Sequence, residues 1–440
     1  MSTNPFTFAN PTNTADNFYQ YSAGDLAGDS KLQQLAVLEA IPAPRINPPL
    51  LDLGSVLPSS AISAIQASGK LVFHSVGDTG GIIRAEPQLA VSDAMAADLA
   101  GKTYPTGRPA FFYHLGDVVY YFGQEQFYPE QFYDPYRNYD APIFAIPGNH
   151  DGVMYKKEPI PYSLQPFVEN FCTATPAPGA PSFARTTMTQ PGVYFVLTAP
   201  FARIIGLYSN TSETSGILGN AKIGQDQLTF LTQQFQAALA ARQADTKNRN
   251  PQALIITVHH PPFTGSSQHF PSATMLAQID ACSKQAGIWP DLVLSGHSHL
   301  YERYTRTMKS DGRQIPYVVA GNGGFYNLSK LKLTLKGKKP KPGHHSEPDG
   351  QGNTISLDAY NETDYGFLRI TVSAGIILVE ALGITGTPTT TTPGTPIPPP
   401  VVLDSFSLNL STHTVGAASA ARKPASASNR PARKKKAIRR

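Results

Sequence analysis

The sequence predicts an α/β protein whose layers run helix, sheet, sheet, helix. Three observations carry that expectation. Short apolar, β-rich runs begin at Leu71, and each ends in a polar cluster. Helix-like segments lie between several of these runs, as in parallel strands joined by crossover helices. Later apolar runs follow one another without helices, as in hairpins.

The elements read as follows. Residues 1–67 are mixed in composition, with IPAPRINPPLL near the middle, and are expected to form an N-terminal extension packed on the main domain. That domain is expected over 68–383. Its strand-like runs are LVFHSVGD (71–78), FFYHLGD (111–117), PIFAIPGNHD (142–151), ALIITVHHPP (253–262) and DLVLSGHSH (291–299). The best helix is IGQDQLTFLTQQFQAALAARQ, where Leu228, Leu231, Phe235 and Leu239 form one apolar stripe at helical spacing. A second helix is expected over ATMLAQIDACSKQAG, with Cys282 near its end. The runs at 193, 202, 316, 365 and 375 read as hairpin strands. GITGTPTTTTPGTPIPPP then marks a Pro/Thr-rich linker, set at 384–400 and partly polyproline II in character. VVLDSFSLNL follows as a short strand-like segment over 401–415 that folds back. Residues 416–440 read as a disordered basic tail.

Charge and composition narrow the class. The formal charge is +5, yet Arg422–Arg440 holds nine Lys or Arg and no acid, so the remainder carries −4. Contact with polyanions is therefore expected of the tail and not of the fold. The two cysteines, Cys172 and Cys282, are too few for a disulfide framework and read as free, buried thiols. No run of about twenty apolar residues exists, so no transmembrane segment is expected. The N-terminus has neither a basic region nor an apolar core, and so reads as no Sec signal peptide. Cytoplasmic is the default localisation, with export left open.

Five of the apolar runs end in groups that bind metals. Asp78 stands in GDTG, Asp117 and Tyr120 in GDVVY, Asn149, His150 and Asp151 in GNHD, His259 and His260 in HHPP, and His297 and His299 in GHSH. Alone, each has an ordinary explanation: a Gly-Asp after a strand is a turn, and a buried tyrosine is core. Together, at the carboxyl ends of strands that share one sheet edge, they converge on one point. Asp78, Tyr120 and His299 form a hard, anionic donor set suited to a ferric ion. Asn149, His259 and His297 form a neutral set suited to zinc, iron or manganese in the divalent state. Asp117 can bridge the two. With a bridging hydroxide, such a centre keeps a formal charge of about +1, ready for an anionic phosphate.

These five motifs resemble those of the calcineurin-like metallophosphoesterases, and among them the purple acid phosphatases. That subgroup's pattern is GDxG, GDxxY, GNH followed by Asp or Glu, VxxH, and GHxH. The chain departs from it only at Ile256, where the pattern has Val. Most other metallophosphoesterases have a histidine two residues after the first aspartate. Here that residue is Gly80, and Tyr120 is the expected substitute ligand. HLYER after the first histidine of GHSH, and AGNGG at 320–324, also look like this subgroup.

The resemblance implies a dinuclear centre of Fe(III) and a divalent metal (Zn, Fe or Mn) in the family's α-β-β-α sandwich. Asp78, Asp117, Tyr120 and His299 would hold the ferric ion, and Asp117, Asn149, His259 and His297 the divalent ion. His150 would contact the phosphate or leaving group, with Asp151 orienting it, and His269 is a further substrate histidine. His260 is expected behind the ligands, and His74 and His114 are expected to be structural. The implied reaction is hydrolysis of a phosphorylated small molecule, a phosphoric monoester, by a metal-activated hydroxide with histidine assistance to the leaving group. A phosphodiesterase or nucleotide hydrolase on the same fold is the alternative, with the pocket walls deciding. A non-catalytic polyanion-binding protein is a weaker alternative. The loop at 326–360, with six lysines and His344-His345, reads as a solvated loop or as a site for polyphosphorylated substrates. Oligomeric state is not legible in the sequence.

Overall fold

Alternation along the strands decides the architecture. In the strand Ala253–Val258, Leu254, Ile256 and Val258 face one core and Ala253 and Ile255 the other. A strand apolar on both faces must be covered on both, which requires a second sheet on one side and helices on the other. The computed structural model shows this arrangement and describes residues 34–35, 40–101, 107–155, 160–179, 185–209, 215–245, 252–343, 346–385 and 399–417.

In chain order the elements begin with β1 (Gln34–Leu35), β2 (Leu50–Asp52), α1 (Ser59–Ser68), β3 (Lys70–Val76) and α2 (Glu86–Leu99). Next come β4 (Phe112–His114), β5 (Ile143–Ala145), the one-turn α3 (Asn149–Gly152), β6 (Met154–Tyr155) and α4 (Gln165–Phe171). The middle of the chain forms β7 (Phe195–Ala199), β8 (Ala202–Leu207), α5 (Asp226–Ala244), β9 (Ala253–Val258), α6 (Ala273–Ala286) and β10 (Leu292–Ser295). The last part is all strand: β11 (Tyr301–Thr307), β12 (Gln314–Ala320), β13 (Ser346–Pro348), β14 (Thr354–Asn361), β15 (Tyr365–Ser373), β16 (Ile376–Ile384), β17 (Val401–Asn409) and β18 (Thr414–Ala417).

One sheet has the order β18-β17-β16-β15-β3-β4-β5 and the other β13-β14-β11-β12-β10-β9-β8-β7-β2, with β1 and β6 paired separately. In the first, β3, β4 and β5 are parallel. In the second, β8, β9, β10 and β12 are parallel. Leu71 and Phe73 of β3, Phe195 and Leu197 of β7, and Leu368 and Ile370 of β15 meet between the sheets. α2 covers the outer face of the first sheet, with Val91 and Met95 in that core. α5 and α6 pack together over the second, burying Phe230, Leu231 and Phe235 from one and Met275, Leu276 and Ile279 from the other. α6 is fixed at both ends: the Ser272 hydroxyl accepts from Met275 N–H, and Gly287 closes it in the left-handed conformation. Both cysteines are free and buried.

Several elements differ from the sequence reading. The run at 202 is not a simple hairpin strand. β8 pairs with β7 but also runs parallel to β9 through the crossover helix α5. β11 gave no apolar signal because it buries charge: Glu302 is enclosed, and the enclosed Arg306 is held by Asp280 and Asp349. Residues 401–409 lie in the first sheet, paired antiparallel with β16. β2, from the expected extension, adds an edge strand to the second. Most of the expected linker (386–398), most of the basic tail (418–440) and His344-His345 lie outside the described residues.

Phe406 anchors β17 in the core between the sheets, under the Arg303 guanidinium 4.7 Å from its ring. Truncating a buried aromatic costs ~3–5 kcal/mol. Phe406→Ala should lower unfolding stability by about that amount in urea titrations. A wild-type midpoint would mean that β17 is not part of the cooperative fold.

Candidate metal centre

The site lies where the carboxyl ends of both parallel strand sets meet. The first sheet delivers acids and an amide: Asp78 after β3, Asp117 after β4, Asn149 after β5. The second delivers imidazoles: His259 after β9, His297 and His299 after β10. Each chain turns sharply there. Asp78, Asp117 and His297 have φ of 56°, 55° and 66°, a region non-glycine residues seldom occupy. Such residues cost ~1–3 kcal/mol each and persist where the surroundings over-determine them.

Two groups of donors result. In the first, the Tyr120 hydroxyl lies 3.2 Å from Asp78 Oδ1 and 3.4 Å from His299 Nε2, and His299 Nε2 lies 3.5 Å from Asp78 Oδ1. In the second, His259 Nε2 lies 3.1 Å from Asn149 Oδ1 and 3.3 Å from Asp117 Oδ2. Ligand atoms of Asp117, His259 and His297 all fall within 4.8 Å of one another. His259 Nε2 is 4.0 Å from Asp78 Oδ1, so the groups adjoin. All seven residues are buried. The structure thus brings together every expected ligand.

The donor set fits cations. Among the described residues, Asp117 Oδ2 is buried without a hydrogen-bond partner, although His259 lies near it. A buried carboxylate oxygen left so is costly unless something positive faces it. The protonation states agree. Burial pushes the Asp78 carboxyl up, and the Asp117 charge adds to this. Burial also opposes charge on Asp117, but His259 and His150 outweigh it and hold that carboxyl low. His259 is pushed up to about 9: Asp117 and Asp78 overcome the effect of burial. Burial, then Asp117 and Asp78, raise the Tyr120 phenol far above its ordinary range. The bare protein therefore holds protons where cations would sit.

Supporting contacts fix the donors. Leu115 carbonyl takes His259 Nδ1 at 2.8 Å, leaving Nε2 to face the centre. Asp78 Oδ2 accepts from His297 N–H at 2.8 Å, tying the two sheets together. Gln131 grips the Tyr120 backbone from both sides, at 2.8 and 2.9 Å. The Tyr120 ring lies against Gly80, where a Cβ would meet it at 2.6 Å. The space beside Gly80 is thus filled by this ring. Phe325, just past AGNGG, packs on Tyr120 and His299 with ring centroids 4.6 and 4.1 Å away. Gln131 and Phe325 escaped the sequence reading, since neither residue type signals metal binding.

His150 is half-buried. Its N–H donates to Asp117 Oδ1 at 2.9 Å, its ring packs 4.5 Å from that of Tyr120, and Nδ1 meets the Tyr121 carbonyl at 2.8 Å. The expected orientation by Asp151 is not made. That carboxylate accepts instead from the N–H groups of Gly148, Val118 and Val119, pinning the 148–152 turn to the Asp117 loop. Tyr121 takes over the orienting role. His269 is half-buried, its ring 4.4 Å from His297 and 5.1 Å from His299, and burial followed by the His299 charge lowers its pKa to about 3. The His260 ring packs at a tilt 4.2 Å from that of His297, with Nδ1 on the Ser209 hydroxyl. His74 and His114 are structural: His74 bonds Asp98 and Tyr139, and His114 bonds Thr79 and Gly116 N–H.

Residues 73–301, more than half of the chain, match the model of the calcineurin-like phosphoesterases. The chain belongs to this family of metal-dependent phosphoesterases. Among solved structures it is similar to GAP50, described as the anchor in the inner membrane complex of Plasmodium, at a TM-score of 0.47 and 14% identity over 77% of this chain and 89% of that one. It is also similar to PhoD, at a TM-score of 0.45 and 12% identity over 87% and 74% of the two chains. Comparison with curated proteins returns no significant match. No helix of the described residues is long and apolar enough to cross a membrane.

Adding even a methyl at position 80 would push on the Tyr120 ring. Gly80→Ala should therefore lower bound metal per chain while β-sheet circular dichroism is unchanged, as read by metal analysis. Full metal content would mean that the ring has room to move. Because His259 is held protonated up to about pH 9 and burial favours a protonated Asp78, metal binding to the bare protein at pH 7 should release protons. Affinity should rise with pH through 7–9. Calorimetry in buffers of different ionisation enthalpy measures this, and zero release would contradict the assigned protonation.

Proposed function

We propose that this centre hydrolyses phosphoric monoesters in the manner of a purple acid phosphatase. The observation that carries the reading is the Tyr120 hydroxyl between Asp78 and His299, with its ring in the space beside Gly80. A phenolate there makes the first donor group anionic and hard, as a ferric ion prefers. Asp78, Asp117, Tyr120 and His299 would hold Fe(III). Asp117, Asn149, His259 and His297 would hold a divalent zinc, iron or manganese ion. Bound there, the two cations supply Lewis acidity toward phosphoryl oxygens and make water acidic enough to attack at neutral pH.

The remaining residues act on the ester. His150 donates Nδ1–H to the Tyr121 carbonyl, which leaves Nε2 as the nitrogen that gains and loses a proton, and the imidazolium form would give that proton to the leaving alkoxide. Asp151 acts indirectly, holding the turn that aims His150. His269, neutral by burial, offers a hydrogen bond to a phosphoryl oxygen. Asn149 and His259 fix each other, so removing either disturbs both.

Purified protein with about two metals per chain should show a tyrosinate–ferric charge-transfer band in the visible, absent in Tyr120→Phe. A colourless two-metal phosphatase would keep the family and refute the ferric–tyrosinate site. His259→Ala and Asn149→Ala should abolish divalent metal binding and turnover. His150→Ala should slow hydrolysis of alkyl phosphates by ~10²–10⁴-fold, the usual range for a general acid, and of nitrophenyl phosphate much less. A panel of monoesters against diesters tests the substrate class: diester preference at matched leaving groups would refute the monoester reading.

A further inference from the structure

We propose that the lysine-rich strap at 330–341, with the neighbouring tip at Phe270, docks the protein on an anionic lipid membrane. The strap reads KLKLTLKGKKPK, and residues 326–343 hold six lysines and no acid. Leu335, Phe270 and Leu333 are 109%, 62% and 57% exposed, the three most exposed large apolar side chains among the described residues. They share one rim: Lys332 Nζ sits 4.7 Å over the Phe270 ring, and the strap and Pro271 line a common cavity of about 980 Å³.

The strap is held in this exposed position. Lys332 N–H donates to Gly265 carbonyl and Ser267 N–H to Lys330 carbonyl, at 2.8 and 2.7 Å. Thr334 and Lys338 close its tip with backbone and hydroxyl hydrogen bonds. Leu331 is tucked inward, while Leu333 and Leu335 on the same alternation are carried out into water. Lys339 is paired with Glu362, but Lys336, Lys338 and Lys341 have no acidic partner among the described residues.

Exposed leucine and phenylalanine flanked by unpaired lysines match the membrane interface: the apolar tips enter the acyl boundary and the ammonium groups meet phosphate headgroups. A soluble polyanion would use the lysines and leave the leucines in water. Ser329, at the root of the strap, donates its backbone N–H to the His299 carbonyl at 2.8 Å, so the strap is joined directly to the metal centre. The surface does not depend on the phosphatase reading, and binding can be measured without turnover.

Co-sedimentation of the full chain with phosphatidylcholine vesicles, with and without phosphatidylglycerol, tests the proposal. The protein should pellet with the anionic vesicles only. Leu333→Ser/Leu335→Ser should weaken this at least tenfold, and Lys336→Glu/Lys338→Glu/Lys341→Glu by about fivefold or more per lysine. Thermal unfolding midpoints of the variants should match the wild type, which separates lost docking from lost folding. Equal binding to neutral vesicles, or wild-type binding by the leucine variant, would overturn the proposal, the latter placing attachment on the basic tail. Binding to polyphosphate but to no vesicle, lost only in the lysine variant, would overturn it in favour of a soluble polyanion.

Discussion

Two carboxyl groups, Asp78 and Asp117, are buried within reach of the same histidine, and the rest of the site is arranged around that fact. Water does not reach them to screen their charge, so protons or cations must. His259 supplies part of the compensation. It does not supply all of it, because among the described residues Asp117 Oδ2 is still left without a hydrogen bond. A site built this way is held ready for positive charge, and the energy of cation binding is in part the energy of relieving this burial.

The two sheets divide the chemistry. Oxygen donors come mainly from one and imidazoles from the other, so the distances between donor groups are set by how the sheets pack. The core between them, with Phe73, Phe195, Leu294 and Ile370, is therefore functional as well as stabilising. Close packing transmits even small volume changes. The hydrogen bond from His297 N–H to Asp78 Oδ2 crosses the same seam at its catalytic end. Left-handed turns at Asp78, Asp117 and His297 let the backbone bend away while the side chains stay aimed inward. Glycines allow the loops to touch: a Cβ at Gly116 would meet both Gly148 N and a His259 ring nitrogen at 2.7 Å.

Much of this was legible in the sequence because strand ends carry their signal locally. LVFHSVGD, FFYHLGD and DLVLSGHSH each show an apolar run, a glycine and a donor in a few residues, and all became strands ending at the site. What stayed hidden was hidden for physical reasons. β11 buries Glu302 and Arg306, so its charged residues masked a core strand. β2 has three residues and joins a sheet whose neighbour, β7, lies far along the chain. Asp151 follows His150 directly, which invites the idea of a pair. A one-turn helix instead points its carboxylate back at backbone amides.

The histidines show why residue type and burial alone do not separate structure from chemistry. His74, His114 and His259 are all fully buried. His74 and His114 have protein partners on both ring nitrogens, which leaves neither nitrogen for a metal or substrate. His259 spends one nitrogen on a carbonyl and turns the other toward a crowd of carboxylate and amide oxygens. His260 is the intermediate case. Ser209 fixes its Nδ1, its Nε2 is buried and has no hydrogen-bond partner among the described residues, and its ring packs at a tilt against that of His297. Its neutral ring, kept so by burial and by the neighbouring imidazoles, forms a wall against which His297 is set. The distinction rests on where the second nitrogen points, a property of the folded chain that no spacing of histidines in the sequence encodes.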